Sequence, residues 1–421
     1  MCSSDLEEAR AFLLSTNADR RNQWIEKLLV HPAYADFWAN KWADLLRPNP
    51  DRVGVKSILT LDVWLRDAFR RNLPYNEFAR EFLAGDGSNH RDGPAVVYRD
   101  RREPPELTTL FSQLFLGVRL ECAKCHHHPN EKWSQDDFYQ FAAFFGPVKQ
   151  KGAGLSPPIS AGTETFYYSK GGQVRHPVTD AVMNPKPPDG PAVPSTVESD
   201  PRIALADWMT GPGNPFFARA AVNRVWAAFF GRGFVEPVDD FRVSNPASNP
   251  ELLDALTKDF VEHNYDLKRL IRLICTSVTY QRSLAANQWN EDDSSNFSHA
   301  LPRRLAAEQL YDSIIQAAGA PRALPGVPAG FRAAELPDPQ VEVAFLDMFG
   351  RPPRESPCEC ERTSDVSLGQ TLNMVNGATI GDAIAHPQGI IARTMASGAS
   401  TEQLIETIRS EEHTSELQSL A

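Results

Sequence analysis

Residues Cys122-Ala123-Lys124-Cys125-His126 bring two thiols and an imidazole together within five positions, and His127, His128 and Pro129 follow directly. Two thiols three positions apart can each add to one vinyl group of a porphyrin, and the next residue offers an imidazole to the iron. That is the spacing of a c-type haem attachment site. The same residues support two other chemistries: a CxxC disulfide or redox pair, and a zinc ion held by both thiolates with two of the three imidazoles. Three successive histidines cannot all turn toward one ion without contorting the backbone, which counts against zinc. No βαβ pattern surrounds the cysteines, which counts against a thioredoxin-like pair. On the haem reading Cys122 and Cys125 form the thioethers and His126 is the proximal ligand. His127 and His128 lie too close in sequence to reach the opposite face, so a sixth ligand must come from elsewhere, with His176, Met183 and Met348 as candidates. A filled sixth position suits electron transfer, and an open one suits small-molecule redox chemistry.

A second grouping is Cys358-Glu359-Cys360. In an oxidising compartment it reads as a structural disulfide, with Cys275 a candidate partner for one thiol, and a CxC pair can also take a soft metal. Around it Arg351, Arg354 and Glu355, with Glu359, Glu361 and Arg362, suit either a polar pocket for an extracellular saccharide or acidic group, or a solvated loop laced by ion pairs. Asp239 and Asp240 are adjacent, so their side chains diverge in an extended segment and make a poor acid/base pair. No catalytic residue is assigned.

The elements that must position these residues read as helices. Amphipathic or capped stretches run over 20–29, 32–46, 59–71 and 75–83. A further helix over 104–120 carries Leu107, Leu110, Phe111, Leu114 and Phe115 into the cysteines. Ser134 caps a helix over 135–145 whose Phe138, Phe141, Phe144 and Phe145 form a wall suited to plain core or to a porphyrin face. Phe166-Tyr167-Tyr168 and Gln173-Val174 flank Lys170-Gly171-Gly172 as a hairpin. Proline, glycine and valine without periodicity over 176–200 mark a connection. Helices resume at 201–209, 215–230, 250–263, 267–280, 302–319 and 367–376. In the second of these Arg219, Asn223 and Arg224 are expected to point away from the core, and Cys275 sits in an apolar helix as a small buried residue.

Composition bounds the function. The chain has 421 residues, enough for two or three domains, and a net charge of -11 without basic runs, which excludes a nucleic-acid surface. Nothing apolar is long enough to span a bilayer, and the first residues lack a signal-peptide pattern. Residues 1–6 and 409–421 read as translated adapter sequence. On that reading the chain is an internal fragment whose targeting signal is not part of it.

Several stretches together resemble one family: Asn40 through Arg47, Cys122 through Pro129 with Trp133 through Tyr139, and Asn223 through Trp226 with Phe229 through Gly233. Pro237 through Phe241, Asn249 through Asp254, Leu301 through Leu305 and Phe349 through Arg362 complete the set. They resemble the planctomycete cytochrome c domain-containing proteins, large secreted proteins in which two adjacent domains of unknown function commonly follow a cytochrome c domain. The resemblance implies an extracytoplasmic setting, periplasmic or secreted. It also implies a first domain over 7–175, a connection over 176–199 and a second domain over 200–408. The redox partner is then a separate protein or the family's own upstream cytochrome c domain. The expected fold is mainly α, two helical domains joined by a Pro/Gly-rich connection with a small β-hairpin. The expected function is a redox or electron-transfer module carrying one haem c. The alternative is a non-redox binding or scaffold protein with zinc or a disulfide at the CxxC.

Overall fold

The computed structural model describes residues 6–152, 162–193, 199–354, 362 and 366–405. Helices dominate. After α1 (Leu6–Leu14) and α2 (Arg20–Val30), His31 adopts an extended conformation because Pro32 follows it, and its Nδ1 accepts the Ala33 amide to cap α3 (Pro32–Leu46). Arg47 ends α3 in the left-handed region at φ 54°. The chain continues through α4 (Pro50–Val53), α5 (Val55–Arg70), α6 (Tyr75–Ala84), β1 (Gly87–Ser88), α7 (Val96–Asp100) and α8 (Pro104–Phe111). Next come α9 (Gln135–Ala142), β2 (Val148–Gly152) and β3 (Glu164–Tyr168). Asp200, Asn249 and Asp266 each accept a first-turn amide, and so start α10 (Pro201–Thr210), α12 (Pro250–Glu262) and α13 (Leu267–Thr276); α11 (Phe217–Phe230) lies between the first two. The last third holds α14 (Ala307–Ala317), α15 (Ala344–Met348), α16 (Leu368–Asn376), α17 (Ala378–Ala385) and α18 (Ile390–Ala396).

The mainly α class expected from sequence is what forms, and the strands make one small antiparallel sheet in the order β1-β3-β2. The hairpin differs from expectation. Phe166-Tyr167-Tyr168 lie on β3, but their partners are Gln150, Lys149 and Val148 of β2, not Gln173 and Val174. Phe166 is buried against the Tyr98 ring, which fixes the face of β3. Gly172, at φ 103°, packs so closely on the Gly146 carbonyl that a Cβ there would clash, so the chain leaves the sheet at the glycines.

Packing gathers the chain into two compact units, Met1–Asn49 with Arg303–Ala421, and Pro50–Pro302. In the first, Phe345 stacks on Phe349 with centroids 4.3 Å apart and meets Tyr311 of α14 edge-on. The second has an aromatic core in which Tyr75, Phe78, Phe82, Phe111, Phe115 and Phe217 are all buried. Each such side chain contributes roughly 1.5–3 kcal/mol on leaving water. Arg202, fully buried, ties α10 to the end of α6 through Gly85 and Asp86, lies over the Tyr98 ring and pairs with Asp200.

Two helical expectations are corrected. The helix expected over 104–120 is α8 followed by a π turn, Ser112–Leu116, that Gly117 ends in the left-handed region at φ 65°. In α11, Asn223 and Arg224 are buried rather than turned outward. Asn223 donates to the carbonyls of Val235 and Val238 and accepts the Val235 amide, while Arg224 donates to the Leu114 carbonyl. Loop carbonyls and an amide supply to Asn223 and to Nη2 of Arg224 what solvent would have supplied.

Candidate functional site

The approach to the cysteines is packed against the core along its length. At the start of α8 the Glu103 amide donates to Oε2 of Glu106 at 3.3 Å, and Pro104 and Pro105 occupy the first turn. Leu107, Leu110, Phe111, Leu114 and Phe115 bury one side of the segment. Gly117 sits against the Phe241 ring, 2.7 Å from where a Cβ would stand, so only glycine makes this turn without strain. Leu120 is buried, and a short 3-10 turn, Glu121–Lys124, follows. Ala123 anchors this turn. It is fully buried and faces the core, so its neighbours Cys122, Lys124 and Cys125 face solvent. Both cysteines are free thiols.

The three histidines differ in which nitrogen is committed, with protons assigned from the hydrogen-bond network. The amide of Gln135, the first residue of α9, donates to Nδ1 of His127 at 3.2 Å, and the Asn130 amide donates to Nδ1 of His128 at 3.2 Å. An imidazole that accepts at Nδ1 carries its neutral-form proton on Nε2, so neither ring offers a metal the Nε2 lone pair. His126 is the reverse. Its Nδ1 faces the His127 carbonyl at 2.6 Å and must be the protonated nitrogen, which leaves the Nε2 lone pair available on an exposed ring.

Two groups on α9 hold the turn in place, and the sequence reading missed both. Gln135 Nε2 donates to the Lys124 carbonyl at 3.0 Å, and the Tyr139 hydroxyl donates to the same oxygen at 3.2 Å. Burial first, with Cys125 nearby, pushes the Tyr139 hydroxyl above its usual range, so it stays protonated as a donor. The i, i+4 spacing of Gln135 and Tyr139 directly after the Ser134 cap was the signal available in the sequence. The four phenylalanines of the wall are fully buried and take part in the core, Phe145 lying 5.5 Å from Phe111 and 6.1 Å from Phe141. They line core rather than an open porphyrin slot.

The sixth-ligand candidates fall in different places. His176 is buried beside Tyr139, with ring centroids 5.7 Å apart, but its Nδ1 accepts the amides of Val178 and Thr179, so its Nε2 carries the proton. Met183 is buried, its amide bonded to the Val174 carbonyl. Met348 lies at the end of α15, in the other compact unit. Among the described residues no group of three or more His, Cys, Asp or Glu side chains is gathered for a metal ion.

Cys358, Cys360 and Glu355 lie outside the described residues. Cys275 is buried in α13. Arg354 is 3% exposed, and its nitrogens reach Asp44 at 3.0 Å, Asn40 at 2.8 Å and the Pro337 carbonyl at 2.8 Å. Arg351 engages Asp347 and the Val341 carbonyl, and Arg362 grips Asp44 and Glu308. This cluster ties the C-terminal third to α3. Asp239 and Asp240 diverge as expected. Asp239 accepts from Gln113 and Arg119, whereas Asp240 pairs with Arg242 at 2.9 Å.

Residues 3–150 match the family described as PSCyt2, protein of unknown function (DUF1549), and residues 201–419 match PSD1, protein of unknown function (DUF1553). Both matches run into the end segments set aside above. No curated protein and no solved structure matches the chain.

Proposed function

We propose, from the premise that the chain belongs to the family of paired DUF1549 and DUF1553 domains found in planctomycete cytochrome c domain-containing proteins, that Cys122 through His126 attach one haem c. The observation that carries this reading is the asymmetry among the histidines. Haem c needs two thiols and one imidazole with an open Nε2, whereas a Cys2His2 zinc site needs two such rings. Cys122 and Cys125 are exposed and free, and His126 alone of the three histidines leaves Nε2 open. Each thiol would add its S–H across one vinyl C=C of the porphyrin, forming a C–S and a C–H bond with no oxidant consumed. Bound there, haem supplies one-electron chemistry, and this chain holds the group at its surface, within reach of a redox partner or of the cytochrome c domain characteristic of the family. Thioether attachment takes place outside the cytoplasm, so the reading includes an extracytoplasmic setting. Among the described residues no helix is long and apolar enough to cross a membrane.

The test is production in a host with haem c maturation, followed by denaturing electrophoresis and a haem stain. One covalent haem per chain is expected, lost in the Cys122→Ser, Cys125→Ser double variant while its helical circular dichroism is retained. A colourless protein with one equivalent of zinc by elemental analysis would overturn the proposal in favour of a binding or scaffold role.

A further inference from the structure

The dipeptide Cys125-His126 lies between two attachments to the first turns of α9. On one side the Lys124 carbonyl, immediately before Cys125, accepts from Gln135 Nε2 and from the Tyr139 hydroxyl. On the other the His127 ring, immediately after His126, accepts the Gln135 amide. The outer strut is the His128 amide on the Trp133 carbonyl at 2.8 Å. Gln135 and Tyr139 are both buried, and α9 itself is fastened by the Ser134–Asp137 capping box and by its phenylalanines in the core. The backbone flanking the thiol and the imidazole is thus held by a core helix, while the two functional side chains are exposed.

We propose that Gln135 and Tyr139 are positioning residues for the haem ligand. By holding the Lys124–Cys125 peptide plane they set the direction of the His126 ring, as an outer hydrogen bond orients a metal-ligating imidazole elsewhere. The inference rests on the attachment of haem proposed above.

The test compares haem-loaded wild type with Tyr139→Phe, Gln135→Met and the double variant, and with Lys124→Ala, which removes an exposed side chain but keeps the carbonyl. Haem per chain, melting temperature, reduction potential and the visible spectrum of the ferrous protein are measured on each. The double variant is expected to carry wild-type haem, because the thiols are intact, and to show a shifted reduction potential and ferrous band. Single variants should lie between, and Lys124→Ala should coincide with wild type. A merely structural role would lower the melting temperature and leave potential and spectrum unmoved, and that result overturns the inference while the haem reading stands. A wild type without haem removes both. If the double variant does not fold, Tyr139→Phe decides by the same criteria, since it keeps the ring against His176 and Phe138.

Discussion

Replacing Arg354 with leucine tests whether the arginine cluster of the C-terminal third is a structural tie or a ligand pocket. The side chain is buried, and its three donors reach Asp44, Asn40 and the Pro337 carbonyl. Leucine fills part of the volume but leaves the Asn40 and Pro337 oxygens without that donor, at roughly 1–3 kcal/mol each, and removes one charge-assisted bond of roughly 1.5–3 kcal/mol. Asp44 is not stranded, because Arg362 still reaches it at 2.7 and 3.0 Å. The expected loss is the low end of that sum, roughly 3.5 kcal/mol, because relaxation and water can re-satisfy the oxygens, and it lies in the range for breaking a buried ion pair, about 3–5 kcal/mol. At roughly 2–4 °C per kcal/mol for a cooperative unit of 150–250 residues, the melting temperature should fall by on the order of 10 °C. Thermal unfolding followed by circular dichroism, with urea titration at 25 °C, measures this. Asn40→Leu and the Arg354→Leu, Asn40→Leu double variant complete a cycle, and the double variant should be less damaged than the sum of the singles. A melting temperature within about 1 °C of wild type, or singles that add within about 0.5 kcal/mol, would refute the structural assignment.

Other outcomes follow from the same geometry. Burial alone would raise the Glu308 carboxyl, but the adjacent Arg362 more than reverses this and holds it below the usual carboxylate range. Its folded value is depressed, so its contribution is present above about pH 4.3 and lost as pH falls through the folded value. Asp312 acts in the opposite sense, since burial keeps it above its usual range despite the Ala333 and Ala334 amides. Melting temperature against pH should therefore show an acid limb that Glu308→Gln flattens and Asp312→Asn steepens. His127→Ala should cost about 0.5–2 kcal/mol through loss of the acceptor at the start of α9, and His127→Asn should recover part of it in urea unfolding. Gly117→Ala should destabilise by about 1–3 kcal/mol, because φ 65° strains an L-residue and the added methyl meets Phe241. An unchanged urea midpoint in that variant would contradict the close approach.

Local chemistry carried most of the element assignments. Proline after His31, Asp200 and Asn249 and the cap at Ser134 locate helix starts without tertiary information, because capping and proline geometry are settled within a few residues. The CxxCH spacing likewise narrows its chemistry, from five residues, to haem c, zinc or a disulfide or redox pair. Other features depend on contacts between residues far apart in sequence. The partner of Phe166-Tyr167-Tyr168 depended on burial of Phe166 against Tyr98, and the inward turn of Asn223 and Arg224 depended on carbonyls that a helical wheel does not contain. Likewise, the packing of Met1–Asn49 with Arg303–Ala421 rests on pairs such as Asp44 with Arg354, 310 positions apart. At the cysteines, spacing assigned His126 to a haem but left all three adjacent histidines open to zinc. Only the fold separates them, because the amides of Gln135 and Asn130 and the carbonyl of His127 decide which imidazole nitrogen keeps its lone pair.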